Sequence, residues 1–271
     1  MTTTSMLEAM EQAARTAGAF MHSSIERNST EKTNAKDFVT VADIKSQAIL
    51  KRELLGAFPE IVILSEEDDE QARAAMYTPD FTGFILDPID GTYNFKRDMR
   101  ESAISIGYIE KGESLIGVVY DPYRDELYTA KKGEGAYRNT VPIHVSSIET
   151  LEGASIATSN SYDDQAMSYN LHRHLAIYEA TGIMPWTSCP GSGVLILCWV
   201  ACGRIDSYHH NGLKPWDNAA AFLIIREAGG IVWNLQGKEA PFTTNNINAG
   251  TPFIVKKLQP IFDTLPEELR E

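Results

Sequence analysis

Asp87-Pro88-Ile89-Asp90-Gly91-Thr92 places two carboxylates three residues apart, with a proline between them and a glycine and a hydroxyl directly after. The preceding Gly83-Phe84-Ile85-Leu86 reads as a buried strand, so both acids leave a strand end together. Aspartate is depleted in strands and rarely buried unpaired. Two of them at a core strand's exit need a strong partner, and a hard divalent cation is the obvious one. Ile61-Val62-Ile63-Leu64 followed by Ser65-Glu66-Glu67 repeats the layout. Lys214-Pro215-Trp216-Asp217 supplies a further acid just ahead of the apolar run Ala219 to Ile225. Convergence of Glu66, Asp87, Asp90 and Asp217 would build an all-oxygen cage suited to Mg²⁺ or Mn²⁺ and not to zinc. Four carboxylates exceed what one mostly hydrated Mg²⁺ takes, and paired metals clamp the attacking and leaving oxygens of a phosphate ester.

Each piece has a plainer reading by itself. Asp217 alone is an ordinary helix N-cap, worth roughly 1 kcal/mol. Glu66 to Glu70 alone is a solvated acidic run, and Asp68, Asp69 and Glu70 are read that way. Asp87 to Thr92 alone is a tight Asp-Pro turn. An EF-hand loop is excluded, because counting back from Gly91 puts Pro88 where an acid is required. The Asp-x-Asp design of haloacid-dehalogenase-type phosphatases is excluded by spacing. On a continuing strand Asp87 and Asp90 would face opposite ways, so the chain must turn at Pro88 for them to converge.

The chain has 271 residues and a net charge of −13. That charge argues against a nucleic-acid polymer as partner. An acidic protein that handles phosphate needs metal to reverse the local field. There is no long apolar segment and no signal region at the start, so a soluble protein with no membrane partner is expected. Cys189, Cys198 and Cys202 fit neither a zinc site nor a disulfide framework, which points to a reducing cytoplasm. Cys198 and Cys202 lie one helical turn apart, as small packing residues.

Several elements must position these acids. Ser5-Met6-Leu7-Glu8 reads as a capping box opening a helix whose apolar face is Leu7, Met10, Ala14, Ala17 and Met21. Residues 28–36 are polar and read as a mobile loop. Thr40-Val41-Ala42-Asp43 is a second capping box, for a helix through Ile44, Ala48 and Leu55. Strands are expected at 61–64, 83–87, 102–110, 114–120 and 126–130. Turns at Gly112 and Asp121-Pro122 make three of them an antiparallel meander. Beyond about residue 150 the pattern alternates: strands near 155–158, 205–209, 231–233 and 252–256, and helices near 163–180, 192–202, 218–228 and 257–269. The expected organisation is an α+β half, 1–150, carrying most candidate ligands, and an α/β half, 151–271, contributing Asp217 and substrate contacts.

The chain resembles the inositol monophosphatase family, within the fructose-1,6-bisphosphatase-like superfamily. The resemblance rests on Asp87 to Phe95, on Glu66-Glu67, and on Trp216-Asp217 followed by Glu227-Ala228-Gly229-Gly230. Lys36 to Asp43 and Gly133-Glu134-Gly135-Ala136 extend it over nearly the whole chain. It implies a layered αβαβα sandwich with the site between the halves. It implies a Mg²⁺-dependent, lithium-sensitive phosphoric monoester hydrolase, cytoplasmic and homodimeric, with two or three metals per site and inhibition by excess Mg²⁺. Glu66, Asp87, the Ile89 carbonyl, Asp90 and Asp217 would ligate metal. Thr92 and Asp43, with Glu66, would orient the attacking water, and the N–H groups of Gly91 and Thr92 would receive the phosphate. Asp43 also has a plainer explanation, as the third-position acid of its capping box. Substrate contacts would come from Asp90, Gly91, Thr92, Asp217, the small segment Gly191-Ser192-Gly193, and position 210.

There the sequence departs from the pattern. Animal-type members carry a glutamate where this chain has His210, within Tyr208-His209-His210, and either histidine could face substrate. Lys32 and Asp37 match a loop that holds a weaker metal, or are solvent-exposed charges. Arg204 and Lys214 could serve a second phosphate or be surface charges. The expected substrate is a small phosphorylated metabolite resembling inositol monophosphate. Fructose 1,6-bisphosphate, histidinol phosphate and 3′-phosphoadenosine 5′-phosphate are the alternatives. A non-catalytic sugar-phosphate or metal-binding protein is the reading from another class, and the intact Glu66, Asp87, Asp90, Thr92 and Asp217 argue against it.

Overall fold

Gly83 to Asp90 is buried at all eight positions. A strand hidden on both faces must lie between two covering layers, and the computed structural model supplies them. It describes residues 3–25 and 28–266. The first elements are α1 (Thr3–Ser23), β1 (Ser29–Asn34), β2 (Asp37–Thr40), α2 (Val41–Ala57), β3 (Ile63–Ser65), α3 (Glu70–Ala74), β4 (Gly83–Asp90) and α4 (Thr92–Lys96). Then come β5 (Ala103–Glu110), β6 (Glu113–Asp121), β7 (Glu126–Lys131), β8 (Ala136–Arg138) and β9 (Val141–Pro142). The remainder is β10 (Ser155–Ala157), α5 (Asp164–Thr181), β11 (Trp186–Ser188), α6 (Gly193–Ala201), β12 (Ser207–Asn211), α7 (Pro215–Glu227), β13 (Ile231–Trp233), β14 (Asn246–Gly250) and α8 (Pro252–Phe262).

Strands β3 to β9 form one sheet in sequence order, antiparallel throughout except for the β3–β4 pair. The second sheet runs β11-β10-β12-β14-β13, with β10 parallel to both its neighbours. Met10, Ala14, Ala17 and Met21 of α1 pack with Leu50 and Leu54 of α2 on one face of the first sheet. Helices α6 and α7 fill the space between the sheets, and α5 and α8 cover the far face of the second. The result is the layered αβαβα arrangement that the resemblance implies.

One close approach fixes α7 and hence Asp217. A Cβ on Gly107 would stand 2.6 Å from the Ala219 Cβ and 2.8 Å from its carbonyl carbon. A Cβ on Gly117 would stand 2.7 Å from the Ala220 carbonyl oxygen. Two glycines in adjacent strands therefore let the helix backbone rest directly on the sheet.

The structure corrects several expectations. The first helix begins at Thr3, so Ser5 and Glu8 lie inside it and do not cap it. Residues 29–34 are a strand paired antiparallel with β2, because the register lets the polar stretch share backbone hydrogen bonds. Residues 252–256 are helical: Pro252 sits at the helix start with fixed φ. The strand lies just before it in Asn246-Ile247-Asn248-Ala249-Gly250, whose asparagines are buried and too polar to signal a core strand. Strand β12 lies two residues later than expected, which brings His210 and Asn211 into the ladder. The short strands β8, β9 and β11 and helices α3 and α4 carry no periodic signal. Helix α7 starts at Pro215, so Asp217 is the third helical residue and Lys214 the N-cap. Positions 267–269 of the expected final helix lie outside the described residues.

Gly107→Ala should push α7 off the sheet and cost about 1–3 kcal/mol, as overpacking against backbone does. A lowered unfolding midpoint is the expected result; an unchanged midpoint would mean that the close contact does not set the helix position.

Candidate functional site

Strand β4 delivers Asp87 and Asp90 because its pairing with β5 slips between those two residues. The irregularity at Pro88-Ile89 brings both side chains to one place. Gly91 follows at φ +81°, where a Cβ would lie 2.9 Å from the Glu101 carbonyl oxygen, so glycine is needed for the exit into α4. Helix α7 brings Asp217 to the same place. One oxygen each of Asp87, Asp90 and Asp217 lie within 4.8 Å of one another.

Each acid is held by a backbone N–H through one oxygen. Asp87 Oδ1 accepts from Ile89 N at 3.0 Å. Asp90 Oδ2 accepts from Val194 N at 3.0 Å and from the Ser192 hydroxyl. Asp217 Oδ2 accepts from Lys214 N at 2.7 Å. Asp43 Oδ2 accepts from Thr40 N at 2.9 Å and closes the expected capping box. Its Oδ1 accepts from Thr92 Oγ1 at 3.2 Å, and that hydroxyl also lies 3.1 Å from the Ile89 carbonyl. The two explanations offered for Asp43 therefore hold together, one oxygen for each.

Electrostatics make the cluster costly as it stands. Burial, then the neighbouring charges of Glu66, Asp90 and Asp217, pushes the Asp87 pKa well above the usual carboxylate range. Burial and Asp90 do the same to Asp217. Burial raises Asp90 to about 6 against the opposing hydrogen bonds from Ser192 and Val194. Asp43 is likewise raised to about 6 by burial. The field already draws a cation of its own: Lys32 Nζ lies 2.8 Å from Glu66 Oε1 and 2.7 Å from Glu67 Oε1. Lys32 is thus no solvent-exposed charge. Glu66, which pairs with it, lies outside the group of three aspartates with which it was expected to converge, though near enough for its charge to act on Asp87. A hard divalent cation fits this oxygen donor set.

The cluster lines a cavity of about 750 Å³, room for a small metabolite. Ile89, Gly91, Thr92, Gly191, Gly193 and His210 also line it, as do Lys32, Asp37, Glu66 and Lys214. Asp37 accepts from Thr33 Oγ1 at 2.7 Å within the β1–β2 hairpin. Ser192 differs from its expected place: it is fully buried behind Asp90, caps α6, and does not line the cavity. Alternation along β12 separates the two histidines. His210 reaches the cavity, whereas His209 Nε2 meets His174 Nδ1 at 2.7 Å on the other face, against the edge of Phe262. Arg204 grips Glu126 through its two terminal guanidinium nitrogens, at 2.6 and 2.5 Å, away from this cavity.

Within the acidic run, Asp68 and Asp69 do structural work and are not merely solvated. Asp68 Oδ2 accepts from Ser65 N at 2.9 Å while Oδ1 pairs with Lys51, and Asp69 caps α3. Two features escaped the sequence reading. Glu67 is nearly buried beneath Lys32, and burial with Glu66 lifts its pKa to about 8. Ser159 to Asp163 forms a cavity wall. It follows β10, whose two parallel neighbours leave a crevice at its end, and a polar run after such a strand is the signal that could have revealed it.

Comparison with known proteins gives the family. The model for the Inositol monophosphatase family matches residues 2–265. Nus factor SuhB of Escherichia coli K12 is 34% identical over 263 residues, covering 93% of this chain and 94% of its own. The crystal structure of the extragenic suppressor protein suhB from Bartonella henselae superposes with a TM-score of 0.85 at 32% identity, covering 96% and 99% of the two chains. The inositol monophosphate-bound structure of SaIMPase-II superposes at 0.76 with 25% identity, covering 94% and 92%. With the family model spanning nearly its full length, the chain belongs to the inositol monophosphatase family.

Proposed function

We propose that the chain is a divalent-cation-dependent phosphomonoesterase acting on a small phosphorylated metabolite. The observation that carries this is the convergence of Asp87, Asp90 and Asp217 to within 4.8 Å beside the Thr92–Asp43 hydrogen bond, in a cavity of metabolite size. Asp87, Asp90 and Asp217 would hold Mg²⁺, with Glu66 and the Ile89 carbonyl at the edge. A cation there supplies Lewis-acid chemistry, neutralising phosphate charge and acidifying a water. The chain's own groups do the rest. Thr92 Oγ1 donates to Asp43 and keeps its lone pairs for the attacking water. A proton accepted at Thr92 Oγ1 passes to Asp43 Oδ1, whose pKa near 6 suits an acceptor working close to neutral pH. Gly91 and Thr92 offer backbone N–H groups to the phosphate, and His210 and the Ser159–Asp163 wall face the alcohol. The inositol monophosphate held by SaIMPase-II supports this substrate class.

The name Nus factor, borne by relatives 34% identical to this chain, favours a second reading: a role within a transcription complex. It removes support for excluding nucleic-acid-associated partners. The net charge of −13 directs such a role toward a protein surface and away from direct phosphate-backbone binding. An inactive but folded variant separates the readings, since it loses turnover and keeps any partner.

Phosphate release from a panel of phosphorylated metabolites, with Mg²⁺ and then with chelator, tests the enzyme directly. Turnover should require the cation; full activity in chelator overturns the mechanism. Asp90→Asn is nearly isosteric and deletes one charge, so folded protein should lose nearly all turnover. Asp68→Asn serves as the control from the same acidic surroundings, losing about 1 kcal/mol of stability with its weakened contacts while keeping turnover.

Thr92→Ala should lower kcat on the order of 10²–10⁴-fold, the range for a proton-handling group, with Mg²⁺ affinity little changed. A defect confined to Mg²⁺ affinity would instead make Thr92 a support for the metal site.

A further inference from the structure

Asn170 is fully buried in α5 and reaches across to β12. Its Oδ1 accepts from the Asn211 backbone N–H at 2.7 Å. Its Nδ2 donates to the Asn211 carbonyl at 3.3 Å and lies 3.0 Å from His210 Nδ1. A backbone N–H only donates and a carbonyl only accepts, so these two contacts define which end of the amide is which. The atom facing His210 is therefore a donor, and His210 Nδ1 must accept. A neutral imidazole that accepts at Nδ1 carries its proton on Nε2. The ring is neutral, because burial and then the Arg173 charge drive its pKa down to about 3. Tyr208 stacks on the imidazole with ring centroids 5.7 Å apart and 12° between planes.

The protonated edge faces the cavity. A Cβ on Gly212 would stand 3.5 Å from His210 Nε2 and 2.9 Å from Ser161 Oγ, and Gly212, Ser161 and His210 all line the cavity that holds the aspartates. The chain thus presents an N–H with no lone pair at this point. A carboxylate there would do the reverse, accepting from hydroxyls and donating nothing. Lys214 lines the same cavity and adds positive charge.

We propose that Asn170 is a positioning residue that locks His210 as a fixed Nε2–H donor, so that the site prefers a phosphate monoester whose alcohol carries an anionic acceptor group over a neutral polyol. The substrate preference rests on the phosphomonoesterase reading; the lock does not.

Two measurements test it. Long-range proton–nitrogen correlation spectra of the wild type, with His210 assigned by its loss in His210→Gln, report the tautomer directly. The expected result is a pyridine-type Nδ1 and a pyrrole-type Nε2, unchanged from roughly pH 6 to 8. An Nδ1–H tautomer, or a ring that titrates in that range, overturns the lock whatever the activity. In Asn170→Asp the ionised side chain can only accept at the facing atom, which moves the proton to Nδ1 and turns Nε2 into an acceptor. The readout is the ratio of kcat/KM for 2-phosphoglycerate to that for glycerol 2-phosphate, esters that differ only in carboxylate against hydroxymethyl. Asn170→Asp should lower this ratio about 3- to 10-fold, the worth of one hydrogen bond. Simple structural damage would slow both esters alike, and an unchanged ratio overturns the specificity claim. Absence of turnover on every ester removes the phosphatase reading and with it the substrate preference, while the wild-type spectrum still decides the lock.

Discussion

Like charges do not gather in a protein interior without a reason, and the gathering of Asp87, Asp90 and Asp217 is the constraint on which the rest depends. Their oxygens lie within 4.8 Å of one another, and Asp87 and Asp90 are buried. Burial and mutual repulsion both favour the protonated forms, so the site as built is short of positive charge. What holds the acids in place against this repulsion is the backbone. Ile89, Val194, Lys214 and Thr40 each spend an N–H on one oxygen of Asp87, Asp90, Asp217 and Asp43 respectively. A carboxylate has two oxygens, so each acid can be anchored and still present an oxygen to a ligand. Anchoring of this kind favours the charged form as well as orienting it.

The same economy explains why the site falls at element ends. Asp43 and Asp217 occupy third positions of helices and satisfy N-terminal backbone groups that would otherwise lack partners. Asp90 sits where α6 begins and accepts from its first turn. Helix starts favour negative charge, so several of the acids also lie where the local dipoles help them. The packing must be tight for these starts to meet. Gly107 and Gly117 let α7 rest on the seven-stranded sheet, and α6 fills the remaining space between the sheets. Positioning of Asp217 is thus a consequence of two missing side chains far earlier in the chain, at Gly107 and Gly117.

In the proposed phosphatase, specificity on the alcohol side would be arranged by different means. The phosphate end would rely on charge, and the far wall on oriented neutral groups: an imidazole stacked on Tyr208 and hydrogen-bonded by Asn170. The strand register that brings His210 to the cavity sends His209 into a buried pair with His174. One residue of register therefore separates a residue that can meet substrate from one that packs the second sheet against α5 and α8.

By itself the sequence singled out the acids that the fold brings together, Asp87, Asp90 and Asp217. Asp-x-x-Asp after an apolar run, an acid pair after another, and Trp-Asp before a third pointed to a hard cation, because oxygen donors of this type suit one. The Thr40–Asp43 capping box and the α1 apolar face were equally legible, since both are local. Tertiary structure decided what depends on partners distant in the chain. It separated His210 from His209 through register, placed Ser192 behind Asp90, and set Lys32 onto Glu66 and Glu67. It also made a strand of the polar 29–34 segment and of Asn246–Gly250, whose residues become strand only because a neighbour supplies the hydrogen bonds. Local chemistry is written in residue types; the direction a side chain faces is set by pairing and packing, which no short window of sequence contains.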